Sequence, residues 1–107
     1  MNLIDERVLN FYRKSPFNIY GDIEESVKRI KKINISEVYP CLKDVLENQK
    51  IKNVLDFGCG GGWFANTIAY HYDFNVYGLD FNEEAIKYSQ RVSERMKIKT
   101  QLINSDL

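Results

Sequence analysis

The residues best placed to do chemistry in this 107-residue chain are three aspartates and a cluster of glycines. Residues 54–69 read "VLDFGCGGGWFANTIA": an apolar run reaches Asp56, gives way to Gly58, Gly60, Gly61 and Gly62 with Cys59 among them, and resumes on a helical period. Glycine loses more backbone freedom on folding than any other residue, so such a cluster implies a tight turn or a close approach of backbone to something else. Between a strand and the start of a helix, bare N–H groups and the helix dipole suit an anionic or polar ligand. The loop is therefore expected to make room for a nucleotide-like cofactor. Asp80, ending "FNVYGLD", and Asp106, in "INSDL", are two more carboxylates that close apolar runs.

The elements that must position these residues change character near Lys50. Before it, three helical stripes are expected: Ile4, Val8, Phe11 and Tyr12; then Ile23, Val27 and Ile30 behind a capping box of Asp22 and Glu25; then Val38, Leu42, Val45 and Leu46, with Pro40 in a tolerated first turn. After it, "IKNVLDF" reads as a buried strand, and "WFANTIAYHY" as a helix with Phe64, Ala65, Ile68, Ala69 and Tyr72 on one face. "FNVYGLD" reads as a second strand. "NEEAIKYSQRVSERM" is a helix capped by Asn82, with Ala85, Ser89, Val92 and Met96 along one side, and "KTQLINSD" is a third strand. The alternation predicts an α/β fold, a parallel sheet with right-handed crossovers.

Asp56, Gly58, Gly60 and Gly62 spell D-x-G-x-G-x-G, which resembles the first motif of the class I S-adenosylmethionine-dependent methyltransferases. The resemblance covers residues 51–107. It implies a Rossmann-like sheet in the order 3-2-1, with S-adenosyl-L-methionine as cofactor. In that family the turn, here Gly58, Cys59, Gly60 and Gly62, wraps the methionine end, and the acid at Asp56 supports the turn and the cofactor's amino group. The acid at Asp80 accepts the ribose hydroxyls, Phe81 lies against the adenine, and Asp106 takes the adenine amino group. A nicotinamide or flavin Rossmann domain is the competing reading, since Gly60, Gly62 and Ala65 also fit G-x-G-x-x-A. Asp56 and Asp106 are not part of that dinucleotide fingerprint. A non-catalytic, methyltransferase-like scaffold is the third reading.

The resemblance divides the chain into a helical extension, residues 1–50, and the N-terminal half of a cofactor domain, residues 51–107. The family sheet has seven strands, so a truncated methyltransferase, inactive alone, is expected, with catalytic residues beyond Leu107. A first-strand edge left unpaired would invite a homodimer.

Balanced charge, with 15 basic and 15 acidic residues, argues against a nucleic-acid partner and favours a small-molecule methyl acceptor. Cys41 and Cys59 are too few for a disulfide framework or a metal site. No signal peptide or membrane-spanning run is evident, so a cytoplasmic protein is expected. His71, the one histidine, falls late in a helix and reads as a surface or packing residue, and "KRIKK", residues 28–32, as a solvated helix face. Tyr12, Phe17 and Tyr20 read as core, with a share in the substrate site as the alternative.

Overall fold

Three short strands, β1 (Asn53–Phe57), β2 (Asn75–Asp80) and β3 (Gln101–Asn104), pair in parallel in the order β1-β2-β3. The computed structural model describes Ile19 and residues 21–48 and 50–106. The first helical stripe, together with Phe17 and Tyr20, lies outside the described residues.

Before the sheet come α1 (Ile23–Lys32), α2 (Ile35–Val38), a 3-10 turn (Pro40–Leu42) and α3 (Lys43–Leu46). The helix α4 (Trp63–His71) joins β1 to β2, and α5 (Glu83–Met96) joins β2 to β3. Both crossovers step in the same direction along the sheet. Right-handed connections therefore place both helices on one face, and the α/β architecture expected from the alternation is present.

Strand register shows what that does to the sheet. Val54 pairs with Val76, and Asp56 with Gly78, which in turn pairs with Leu102; this row faces the helices, with Val76, Gly78 and Leu102 buried. Leu55 pairs with Tyr77, and Phe57 with Leu79, which in turn pairs with Ile103, on the other face. There Phe57 is 65% exposed, Leu55 52% and Ile103 43%. The expected burial of the first strand is thus half right: one side of β1 packs, and the other carries large apolar groups into solvent. Among the described residues no strand pairs with the outer edge of β1.

The core lies between the covered face and the helices. Val27 and Ile30 of α1, Ile35 and Leu46 meet Trp63, Ala65 and Ile68 of α4, Val76 of β2 and Val92 of α5. The N-cap half of the expected capping box forms, with the Asp22 carboxylate accepting the Glu25 N–H at 2.9 Å. Because α1 lies across both α4 and α5, the expected one-sided α4 is buried nearly all round: Trp63, Asn66 and Thr67 are as enclosed as Ala65 and Ile68. Phe64, Ala69 and Tyr72 are only half-buried.

The third stripe is not one helix. Pro40 lacks the N–H a continuing helix needs and disfavours helical geometry in the residue before it; Tyr39 sits at φ −123°, ψ 79°, and the helix restarts as a 3-10 turn. Val38 and Val45 consequently point outward, while Leu46 reaches the core. Polar ties then fix α1 in place. The Tyr88 hydroxyl of α5 bonds Ser26 and donates to the Gly21 carbonyl, Arg95 grips Glu24 at 2.7 and 3.2 Å, and His71 Nε2–H donates to the Ile30 carbonyl at 2.7 Å. His71 therefore satisfies an otherwise open carbonyl in the last turn of α1, which decides for packing between the surface and packing roles expected of it.

Candidate functional site

The glycine turn crosses the carboxyl end of β1 and leads into α4. Gly58, Gly60 and Gly62 have φ of 73°, 56° and 84°, a left-handed geometry that side chains resist. Gly62 also lets α4 and α5 close together: a Cβ there would stand 2.4 Å from the Ser89 Cβ. Asn66, fully buried one turn on, donates to the Ser89 carbonyl at 3.2 Å and reinforces the same contact.

The turn's amides do not face outward as expected. Gly58 and Cys59 both donate to the Leu79 carbonyl, at 2.7 and 2.9 Å, and Gly60 donates to the Asp80 carboxylate at 2.8 Å. The loop is thus folded onto the end of β2, and these three N–H groups are engaged within the protein.

The Cys59 side chain follows them inward. It is fully buried against Gly78, where a Cβ would meet its Sγ at 3.0 Å and Leu102 at 3.0 Å. Burial, together with the Asp56 and Asp80 charges, pushes its thiol up to about 12, so it is an inert packing group. Any contact it makes with a ligand is through its backbone.

Asp80 closes β2 and is 6% exposed, with its second carboxylate oxygen accepting the Asn82 N–H at 2.8 Å. Asp56 of β1, paired with Gly78, lies on the same face of the sheet two residues short of the Asp80 level. Its Oδ2 is buried and meets no hydrogen-bond partner. Desolvation, aided by the Asp80 charge, pushes the Asp56 carboxyl up to about 6. The rim thus holds two carboxylates, one of them with an unsatisfied buried oxygen, a setting that favours a positively charged group. Among the described residues no three metal-ligating side chains converge.

A family model described as "Methyltransferase domain" matches residues 48–106, more than half of the chain. The chain belongs to that family. The crystal structure of the PH0226 protein from Pyrococcus horikoshii OT3 is similar, with a TM-score of 0.54 and 27% identity over 88% of this chain. The match spans only 41% of that protein's length. No curated protein matches significantly.

In this methyltransferase domain the glycine turn bonds Asp80 directly through Gly60, and Asp56 lies near enough for the Asp80 charge to raise its carboxyl. Phe81 is half-buried one residue past β2. Asp106 lies exposed two residues past β3, at the same rim; its neighbour Ser105 donates its N–H to the Asp80 carbonyl at 2.9 Å. The sequence reading missed Gly78, although a glycine inside a strand signals close backbone or side-chain approach, here by Cys59. It also missed Asn66, whose position inside an apolar helix was its only signal. A separate cavity of about 330 Å³ opens at the opposite end of the sheet between Tyr72, Phe74 and Lys97, remote from the carboxylates.

Proposed function

We propose that this methyltransferase domain binds S-adenosyl-L-methionine and forms the cofactor-holding half of a methyl-transfer site. The observation that carries the reading is the buried, unpartnered Asp56 Oδ2 beside the Asp80 carboxylate. Leaving a buried charge unpaired is costly, and a ligand bringing a cationic group to this rim relieves the cost. The cofactor's amino group and sulfonium are such groups.

The same feature opposes a dinucleotide. A pyrophosphate would set its negative charges near two carboxylates, and the Gly58, Cys59 and Gly60 amides needed to cradle it already bond Leu79 and Asp80.

When bound, the cofactor supplies an activated methyl group on a good leaving group. The chain's own part is to hold and orient it: Asp56 toward the positive end, the turn against the methionine portion, Asp80 and Phe81 toward the adenosine, Asp106 toward the base. Nothing in these residues calls for a general base, and a small molecule is the acceptor that the balanced charge favours.

Turnover requires more than the residues described. The exposed edge of β1 and the bare apolar face of Leu55, Phe57 and Ile103 favour completion of the sheet by further strands and helices; alone, the chain binds cofactor weakly and transfers no methyl group. Pairing of two copies through β1 is the competing way to close that edge.

Calorimetry with S-adenosyl-L-homocysteine tests the reading. Heat of saturable binding, abolished by Asp56→Ala, is the expected result; no heat, with binding of NADH instead, sinks it and restores the dinucleotide reading. Silence toward both leaves a scaffold.

A further inference from the structure

Asp80 is tied to more of the site than any ligand-binding role demands. Its Oδ2 accepts the Gly60 N–H and its Oδ1 the Asn82 N–H, each at 2.8 Å. Its carbonyl accepts the Ser105 N–H at 2.9 Å and the Asn104 side-chain amide at 3.1 Å. One residue thereby joins the glycine turn, the segment capping α5 and the segment leaving β3. Asn82, held by this carboxylate, is itself the N-cap of α5, accepting from Glu84 and Ala85.

Both carboxylate contacts are charge-assisted and buried, the setting in which such bonds are strongest. The Gly60 bond completes a series: Gly58 and Cys59 donate to the Leu79 carbonyl, and the next amide donates to the next residue of β2. Gly60 has φ 56°, a conformation that glycine adopts without steric cost but does not by itself hold, so the contacts of the turn must fix it. Each carboxylate oxygen keeps a second lone pair, so holding the turn leaves acceptors for a ligand.

We infer that Asp80 is a positioning residue, a latch whose carboxylate sets the shape of the glycine turn through Gly60 and couples it to the start of α5 before any ligand arrives. The inference rests on the proposed cofactor reading for its consequence, the effect on binding. Its structural content stands on the two bonds themselves. Asparagine cannot replace the carboxylate: it presents one acceptor oxygen and one NH2 group, so one of the two backbone N–H groups faces a donor and goes unsatisfied.

Two measurements on Asp80→Asn test it. The first is amide hydrogen exchange in the unliganded chain. The Gly60 or Asn82 amide should exchange about tenfold faster or more than in the wild type, while core amides at Ile68 and Val92 hold their rates. Unchanged exchange at both Gly60 and Asn82 overturns the latch. So does a wild-type Gly60 amide that exchanges like a free loop amide, a result that does not depend on the variant folding. The second is affinity for S-adenosyl-L-homocysteine and for its 2′,3′-dideoxy analogue. A latch weakens both by a similar factor, about tenfold. A residue that only accepts ribose hydroxyls weakens the first and leaves the second unchanged, which overturns the inference. If the wild-type chain binds neither compound, the cofactor reading falls, and amide exchange alone decides the latch.

Discussion

The two faces of one three-stranded sheet obey different rules. On the helix side every residue has a packing reason: Val54 and Val76 meet the core, Gly78 makes room for Cys59, and Asp56 and Asp80 end their strands at the rim. On the other side Leu55, Tyr77, Leu79, Phe57 and Ile103 form an apolar surface with no helix of the described residues over it, and the Asn75 side chain donates to Asn53 at 3.1 Å at its lower end. The composition of the two faces is similar. Crossover handedness separates them, because two crossovers stepping the same way can cover one face only. An apolar face that no helix covers is a surface built to meet something else.

The largest expected difference is between one residue from each side. Ile68→Ala, at the centre of the covered side, should cost about 3–4 kcal/mol by creating a cavity. Phe57→Ser, on the bare side, should change the stability of the isolated chain by about 0.5 kcal/mol or less and reduce its self-association. Urea midpoints decide between them. Equal losses would mean that the Phe57 face is covered in solution.

A smaller effect probes how closely the covered face is fitted. Gly78→Ala should cost about 2 kcal/mol, because the new methyl meets Cys59 and Leu102 at 3.0 Å. Cys59→Ala in the same chain should recover part of that loss. Additive losses in the double-mutant cycle would show that the two positions do not share the contact.

Next comes the carboxylate that the rim leaves unsatisfied. The Asp56 carboxyl sits at about 6 in the fold against an ordinary 3.8, so the folded chain holds the proton more tightly than the unfolded chain between those values. Stability from this group is therefore present at low pH and lost as pH rises through about 6. Asp56→Asn should match the wild type near pH 4 and exceed it by about 1–2 kcal/mol at pH 8, a figure reduced for the group's partial exposure. The same substitution should weaken S-adenosyl-L-homocysteine binding. A variant equally stable at both pH values would show that Asp56 ionises without strain.

Much of this was legible in the sequence, for identifiable reasons. The strand–helix alternation, the Asp22 and Asn82 caps and the convergence of Asp56, the glycine turn and Asp80 follow from local pattern, which survives folding unchanged. What escaped depends on neighbours distant in sequence. The inward turn of the Gly58, Cys59 and Gly60 amides depends on Leu79 and Asp80, some twenty residues on. The enclosure of α4 depends on where α1 lies. The exposure of Leu55 and Phe57 depends on which way the crossovers step, and an apolar run of five residues reads the same whether one face or both are buried. Pro40 was visible, but its effect on Tyr39 outweighed a continuous apolar stripe.

The smallest effects concern what holds α1 over the covered face. Val27 and Ile30 supply the apolar contact, and beside the His71 bond to the Ile30 carbonyl two further polar ties flank them: the Tyr88 hydroxyl, bonded to Ser26, Gly21 and Asp22, and the Arg95–Glu24 ion pair. The hydroxyl satisfies groups partly withdrawn from water, so Tyr88→Phe should cost about 1 kcal/mol. The ion pair is short and two-pronged, but its side chains are 54% and 56% exposed, where water and salt weaken the attraction. Glu24→Gln should therefore cost about 0.5 kcal/mol or less, and nothing measurable in 1 M salt. If Glu24→Gln proves the more damaging of the two, the helix is held over the sheet by charge at its rim, and the buried stripe of Val27 and Ile30 serves only to follow it.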